Sequence, residues 1–243
     1  LRLDHRRFAY AGKFVMSTTG KAVVRRVERG DEADGDETGD GETSDGETVD
    51  TGQRRESDEG PPSAADGTAY DTEVLAAVAF NADRTDDRRL RLRYITVRSD
   101  LKGEEVGPRL AAFVAARAET QGYRRVAIAV NNPFAYEAMY KAGFEWTGRE
   151  SGVAELVLER PAGALADDGA EPDPDTYRAG LERYRDRDLG DPEASFLADR
   201  ADAHPPAPAG DPDGADPDLS PIQISEPPRR RGRSYAGICL QNK

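Results

Sequence analysis

Across 243 residues, 33% are charged and 37% hydrophobic, with a mean hydropathy of −0.77, which is too polar for a chain packed along its whole length. A formal charge of −13 and a pI near 4.8 give the chain the wrong sign for nonspecific attachment to nucleic acid or an anionic membrane. Cys239 is the one cysteine, which excludes an intramolecular disulfide; with no apolar run of about 18 residues and no signal-peptide core, a cytoplasmic protein is the expectation. Lysine occurs only at Lys13, Lys21, Lys102, Lys141 and Lys243, and arginine carries the remaining positive charge. That acidic, lysine-poor balance is expected of a protein from a high-salt cytoplasm, where a Debye length of about 3 Å at 1 M tolerates self-repulsion. A mesophilic protein with acidic tails is the alternative.

In chain order, residues 1–19 read as an N-terminal arm; with Met16 as an alternative start, 1–15 is expected to contribute little. The β-rich run 21–27 predicts a first strand. Residues 30–68 consist mainly of Gly, Asp, Glu, Thr and Ser, cannot bury enough apolar surface to offset ordering entropy, and are expected to be a disordered acidic insert. Strands follow over 73–80 and 90–97, joined most simply as an antiparallel hairpin. Pro108 suits a first helical turn and Gly122 a helix end, with Leu110, Phe113, Val114 and Ala118 forming an apolar face between them. A strand over 125–130 leads into Asn131-Asn132-Pro133, a cap followed by a proline at the first helical position, and Gly143 closes that helix. Two further strands are predicted over 144–148 and 152–159, with a turn at 150–152. The order is that of an α/β domain over 20–160 with a mixed central sheet and two packed helices. Tyr177, Leu181 and Tyr184 at helical spacing and Asp191-Pro192 as a second cap predict two short helices within 161–203, either docked or a mobile appendage. Residues 204–243, rich in Pro, Asp and Gly and then in arginine at 229–233, are expected to be a disordered tail.

Several chemistries are excluded by residue supply. His5 and His204 are the only histidines and both flank the predicted domain, so it can hold neither a histidine-rich zinc site nor a Ser-His-Asp triad. Cys239 lies in the tail, without a positioned base. The loop 102–107 lacks the Gly-Lys-Ser/Thr end of an NTPase loop and the spaced glycines of a dinucleotide fingerprint. Carboxylate-only acid/base chemistry stays open on composition, and beside it stands a strand feeding a glycine-bearing loop at a helix N-terminus, a socket of N–H groups that favours phosphate.

Residues 88–160 resemble the GNAT superfamily of N-acetyltransferases. The family loop reads Gln or Arg, two residues of any kind, Gly, any residue, then Gly or Ala. Here Lys102 stands first, Gly107 last, and Glu105 replaces the inner glycine. Tyr140 with Lys141-Ala142-Gly143-Phe144 matches the family's Tyr-x-x-Gly-Phe ending, whereas the family asparagine, seven residues before the tyrosine, falls on Pro133, with Asn132 one residue early. The resemblance implies a GNAT-like mixed sheet and acetyl-CoA as acyl donor to an amine acceptor. It assigns Ile95, Thr96 and Val97 to the pantetheine arm and the amides of Gly103, Glu104, Glu105, Val106 and Gly107, with Lys102 and Asn132, to cofactor binding. Tyr140 takes the role of the acid that protonates the thiolate, Tyr136 a packing role, and no metal is required. The alternative is a non-catalytic acyl-CoA-binding or interaction module with a degenerate site. The acceptor and the oligomeric state are not specified.

Overall fold

Within 89–97 the apolar residues alternate at Leu90 and Leu92, then skip to Ile95 and Val97, so one extra residue must be absorbed to keep all four on one face. The computed structural model, which describes residues 1–15, 18–26, 69–164, 171–210 and 223–225, shows how. Strand β3 (Arg89–Val97) pairs antiparallel with β2 (Val74–Ala82), and the register steps from Ala79↔Tyr94 to Phe80↔Leu92, leaving Arg93 as the extra residue of a bulge. This is the predicted hairpin. The sheet has seven strands in the order β5-β6-β4-β3-β2-β1-β7, with β1 (Gly20–Arg25), β4 (Arg125–Val130), β5 (Glu145–Glu150), β6 (Leu156–Pro161) and β7 (Gln223–Ser225). All pairings are antiparallel except β3 with β4.

Helices α1 (Val106–Thr120) and α2 (Pro133–Lys141) end where glycine permits a left-handed residue, at Gly122 (φ 87°) and Gly143 (φ 78°). They cover one sheet face with α3 (Pro174–Arg185) and α4 (Asp191–Ala198). Two packed helices thus become four: Tyr177, Leu181, Tyr184 and Leu197 are buried in the same apolar cluster as Leu110, Val114, Ile128 and Leu158. α3 docks because it lacks a side chain where Tyr136 arrives. A Cβ on Gly180 would lie 1.9 Å from the Tyr136 hydroxyl oxygen.

Three expectations need correction. Residues 1–15 are not idle: Leu3, Phe8, Ala11 and Phe14 form a second apolar cluster with Val23, Val74, Ala77 and Ala79 on the sheet face opposite the helices. Apolar residues of β1 and β2 on that face would otherwise meet water. The last hairpin is shifted to Glu145–Glu150 and Leu156–Pro161, because the turn is set by Ser151, whose N–H donates to the Glu155 carbonyl at 2.8 Å. The tail is not featureless either, since Gln223–Ser225 pairs antiparallel with Lys21, Ala22 and Val23 and covers the outer edge of β1. The acidic insert and the rest of the tail beyond 210 lie outside the described residues. Among the described residues no helix is long and apolar enough to cross a membrane.

Candidate functional site

Parallel strands hold their ladder only while their directions agree, and here the agreement ends early. β3 and β4 pair from Arg89↔Arg125 to Leu92↔Ile128 and no further. The bulge at Arg93 follows at once, with its local twist. Beyond it Ile95, Thr96 and Val97 remain bound on one side to Val78, Ala77 and Ala76 of β2, with no strand on the other among the described residues. In an antiparallel pair alternate residues direct their N–H and C=O away from the partner, so the β4 side of this segment offers backbone hydrogen bonds to an extended ligand. Thr96 is itself buried, and its hydroxyl has no partner among the described residues.

The segment runs through a 3₁₀ turn at Ser99–Leu101 into the loop 102–107 and α1. Gly107 is needed for approach: a Cβ there would lie 3.2 Å from Val97 Cγ2. Gly103 (φ 96°) and Glu105 (φ 57°) are both left-handed, so the family's inner glycine stands where Glu105 bears a conformation that glycine adopts without strain. The N–H groups of Gly103, Glu105, Val106 and Gly107 have no acceptor among the described residues, whereas that of Glu104 is turned to the Leu101 carbonyl at 3.4 Å. No acidic residue lies in the first turn of α1, leaving its dipole unopposed there. Glu105, the helix N-cap, is not a free charge: its carboxylate accepts from Lys141 Nζ at 2.7 Å, tying the loop to the end of α2.

The second half of the expected constellation comes together differently. Asn132 is the N-cap of α2, its Oδ1 accepting from the Ala135 N–H at 2.8 Å. Counting seven residues on from this asparagine gives Met139, which is buried and carries no transferable proton. Tyr140, 2% exposed, points elsewhere. Its hydroxyl accepts from the Trp146 N–H at 3.1 Å and lies 3.2 Å from that of Tyr136, which in turn is 3.2 Å from the Tyr177 carbonyl. One proton placement satisfies the whole chain: Trp146 N–H to Tyr140, Tyr140 to Tyr136, Tyr136 to Tyr177. Burial pushes the Tyr140 phenol up, opposed by the hydrogen bond it accepts from the Trp146 N–H, and burial with neighbouring phenols pushes Tyr136 up. Trp146 stands opposite Leu158, which stands opposite Ile128, so the Tyr140 hydroxyl is two strands from the end of the β3–β4 ladder. That is on the order of 10 Å. The structure does not bring Tyr140 to the gap where a thioester would lie.

Sequence reasoning assigned Tyr136 to packing, and it is fully buried among Tyr140, Tyr177 and Tyr184. It missed the partner of Glu105, although Lys141, in the last turn of a helix that must return beside the loop, was one of only five lysines. It also missed the arm, whose Tyr10 ring lies 6.5 Å from that of Tyr94 and whose Lys13 ammonium lies 5.8 Å above the Tyr94 ring.

Residues 32–144 match the acetyltransferase (GNAT) family. No curated protein matches the sequence. Among solved structures, nourseothricin acetyltransferase is 23% identical over 38% of this chain and 60% of its own, with a TM-score of 0.33. An N-acetyltransferase from Staphylococcus aureus Mu50 is 17% identical over 39% of this chain and 64% of its own (TM-score 0.34). A putative acetyltransferase from Salmonella typhimurium, solved with its cofactor acetyl-CoA, is 17% identical over 41% and 62% (TM-score 0.33). The chain thus spans less than two thirds of the length of these three structures. The match to the acetyltransferase (GNAT) family over residues 32–144 takes in the point where the parallel strands part above a glycine-bearing loop at a helix N-terminus.

Proposed function

We propose that the protein is an acetyl-CoA-dependent N-acetyltransferase acting on an amine. The observation that carries this reading is the early end of the β3–β4 ladder at Leu92↔Ile128, directly upstream of a loop whose N–H groups at Gly103, Glu105, Val106 and Gly107 lack acceptors among the described residues. A pantetheine arm needs extended backbone with free hydrogen-bonding groups, and a pyrophosphate needs convergent N–H donors; the two lie in sequence here. In the reaction the amine lone pair attacks the thioester carbonyl, the C–S bond breaks, the sulfur leaves as thiolate and takes a proton, and the nitrogen loses one. Backbone N–H groups facing the gap are the candidates to stabilise the developing oxyanion. The supply of the thiolate's proton is assigned to solvent rather than to Tyr140, whose hydroxyl is engaged in the interior.

A second reading, a non-catalytic acyl-CoA-binding module, is favoured by one specific observation. Met139 stands seven residues after Asn132, and Tyr140 is turned away. Calorimetric titration of CoA, run beside thiol release from acetyl-CoA with a panel of amines, separates the two. Binding with amine-dependent thiol release is the expected result; binding with no release above the background without protein leaves the binding module, and no binding overturns both.

A further inference from the structure

The sheet face opposite the helices is apolar under the arm but polar beyond it. The registers place Arg89 and Arg91 of β3, Arg125 of β4 and Glu159 of β6 on this side, with Asn81 at the adjoining position of β2, and the ion pair to Glu159 brings Arg149 of β5 to it. Two buried carboxylates organise it. Asp83 is reached by Arg89 and Arg91, both at 3.3 Å, and Glu159 by Arg149 at 2.8 Å, Arg89 at 3.0 Å and Arg125 at 3.5 Å. Every guanidinium in that set has a carboxylate. Arg93 does not. It is half-buried, its Nε donates to the neutral Oδ1 of Asn81 at 2.8 Å, and no carboxylate lies within ion-pair distance among the described residues. Burial first, then Arg91 and Arg84, lower its pKa against the opposing pull of Asp83, so the guanidinium is held charged where it is partly desolvated.

Its place in the fold gives this excess charge a use. Arg93 is the extra residue of the β3 bulge and the first residue beyond the last β3–β4 pair, so it stands at the point where the strands part. The neighbouring Tyr94 turns to the same face, where Tyr10, 55% exposed, and Lys13 of the arm flank it. On the transferase reading, a cofactor along the loop and the edge of β3 would bring its thioester to this point, and the face bearing Tyr94, Tyr10 and Lys13 would be left for a second substrate.

We propose that Arg93 binds a carboxylate of the acceptor, so that the preferred substrate is a small amine carrying a carboxylate a few bonds from the reacting nitrogen, with Tyr94, Tyr10 and Lys13 lining its approach. This rests on the transferase reading above. A guanidinium already desolvated and lacking a counter-charge gains more from a carboxylate than an exposed or paired one does, and the planar fork fixes the carboxylate's orientation relative to the amine.

The test uses amine pairs that differ by the carboxylate alone: β-alanine against ethylamine, lysine against 1,5-diaminopentane, phenylalanine against phenethylamine. In the wild-type chain the carboxylated member of at least one pair is expected to have the higher kcat/KM. Arg93→Gln is expected to lower the ratio within that pair by about 10- to 100-fold, mostly through KM, and Arg93→Lys to restore part of it. A ratio unchanged in Arg93→Gln, or no carboxylate preference in the wild type, overturns the proposal and leaves the transferase reading standing. Calorimetric titration of propionate and 3-phenylpropionate into the CoA-saturated protein supplies a readout without turnover. Carboxylate binding that is lost in Arg93→Gln, with no amine acetylated, retains the anion site and sinks the transferase reading. Binding identical in wild type and Arg93→Gln, or absent from both, overturns the site.

Discussion

Glu105 provides the most direct test of where the cofactor's phosphates lie, because two separable properties meet in one residue. It holds a left-handed backbone (φ 57°, ψ 11°), and its carboxylate neutralises Lys141 at 2.7 Å. Glu105→Gly removes both the conformational strain and the charge; Glu105→Gln removes the charge alone. The strain relieved is about 1 kcal/mol, and the exposed ion pair lost is worth at most about the same, so neither variant is expected to unfold. What changes is the socket. Losing the carboxylate releases the Lys141 ammonium as a net positive charge beside N–H groups that await an anion. For charges about 6 to 8 Å apart, an effective dielectric between about 80 and 20 gives roughly 0.5 to 3 kcal/mol. With the two side chains 40% and 28% exposed, the lower part of that range applies, about 1 kcal/mol or a fivefold tighter CoA complex. Lys141→Met leaves the carboxylate unpaired and is expected to weaken CoA by a similar factor. Isothermal calorimetry of the four proteins in low and molar salt should give the order Glu105→Gly, Glu105→Gln, wild type, Lys141→Met, contracting in high salt. Equal affinities across the series at low salt would refute the assignment of the phosphates to this loop.

Three further outcomes follow from the packing. Tyr140→Phe removes a hydroxyl that accepts from the Trp146 N–H, so a stability loss of about 1–3 kcal/mol with less than a tenfold change in turnover is expected; a loss of 100-fold or more with intact CoA affinity would return Tyr140 to the role of acid. Gly180→Ala drives a methyl into the Tyr136 phenol, whose Oη and Cζ would lie 1.9 and 2.4 Å away, and chemical denaturation should show a loss of at least about 1–3 kcal/mol, partly recovered by adding Tyr136→Phe. An unchanged midpoint would mean that α3 is not seated in the core. Burial pushes the Asp83 carboxyl up, but the Thr85 N–H, the Thr85 hydroxyl and Arg89 outweigh it and hold it well below the usual carboxylate range. Its contribution to stability is therefore full above about pH 4 and falls away as pH drops toward the folded value, so Asp83→Asn should destabilise at pH 7 and approach wild type in acid; a pH-independent difference would refute the linkage.

The elements legible in sequence were those whose signals are local. Asn132-Pro133 as cap and first turn, Gly122 and Gly143 as helix ends, and the aliphatic run of β4 each declare themselves within a few residues, and each lies where expected. What was not legible depended on neighbours distant in sequence. Residues 1–15 looked dispensable because Leu3, Phe8 and Phe14 show no period, and their role is visible only once Ala77 and Ala79 present a face for them to cover. The tyrosine is a related case. The spacing from Gly143 pointed to Tyr140 and the spacing from Asn132 to Met139, and the choice between them depended on Trp146 at the far edge of the sheet and on Tyr177 in a helix 37 residues further along the chain, counting from position 140 to 177.

The same contrast applies to charge. A formal charge of −13 describes the molecule as a whole and neither end of the site, because a Debye length of about 8 Å at physiological ionic strength makes each end answer to its own neighbours. At the loop, unpaired N–H groups and the neutralised Glu105–Lys141 pair present an anion with dipoles and no net charge. At the bulge, Arg93 lies among Arg91, Arg84 and Asp83 and keeps a positive charge that no carboxylate reaches among the described residues. The bulge is also what ends the β3–β4 ladder in step with this charge, since the residue that breaks the alternation of β3 is itself the arginine. Parting the strands and placing a cation at the opening are therefore one structural event, and moving the bulge by a residue would alter both together.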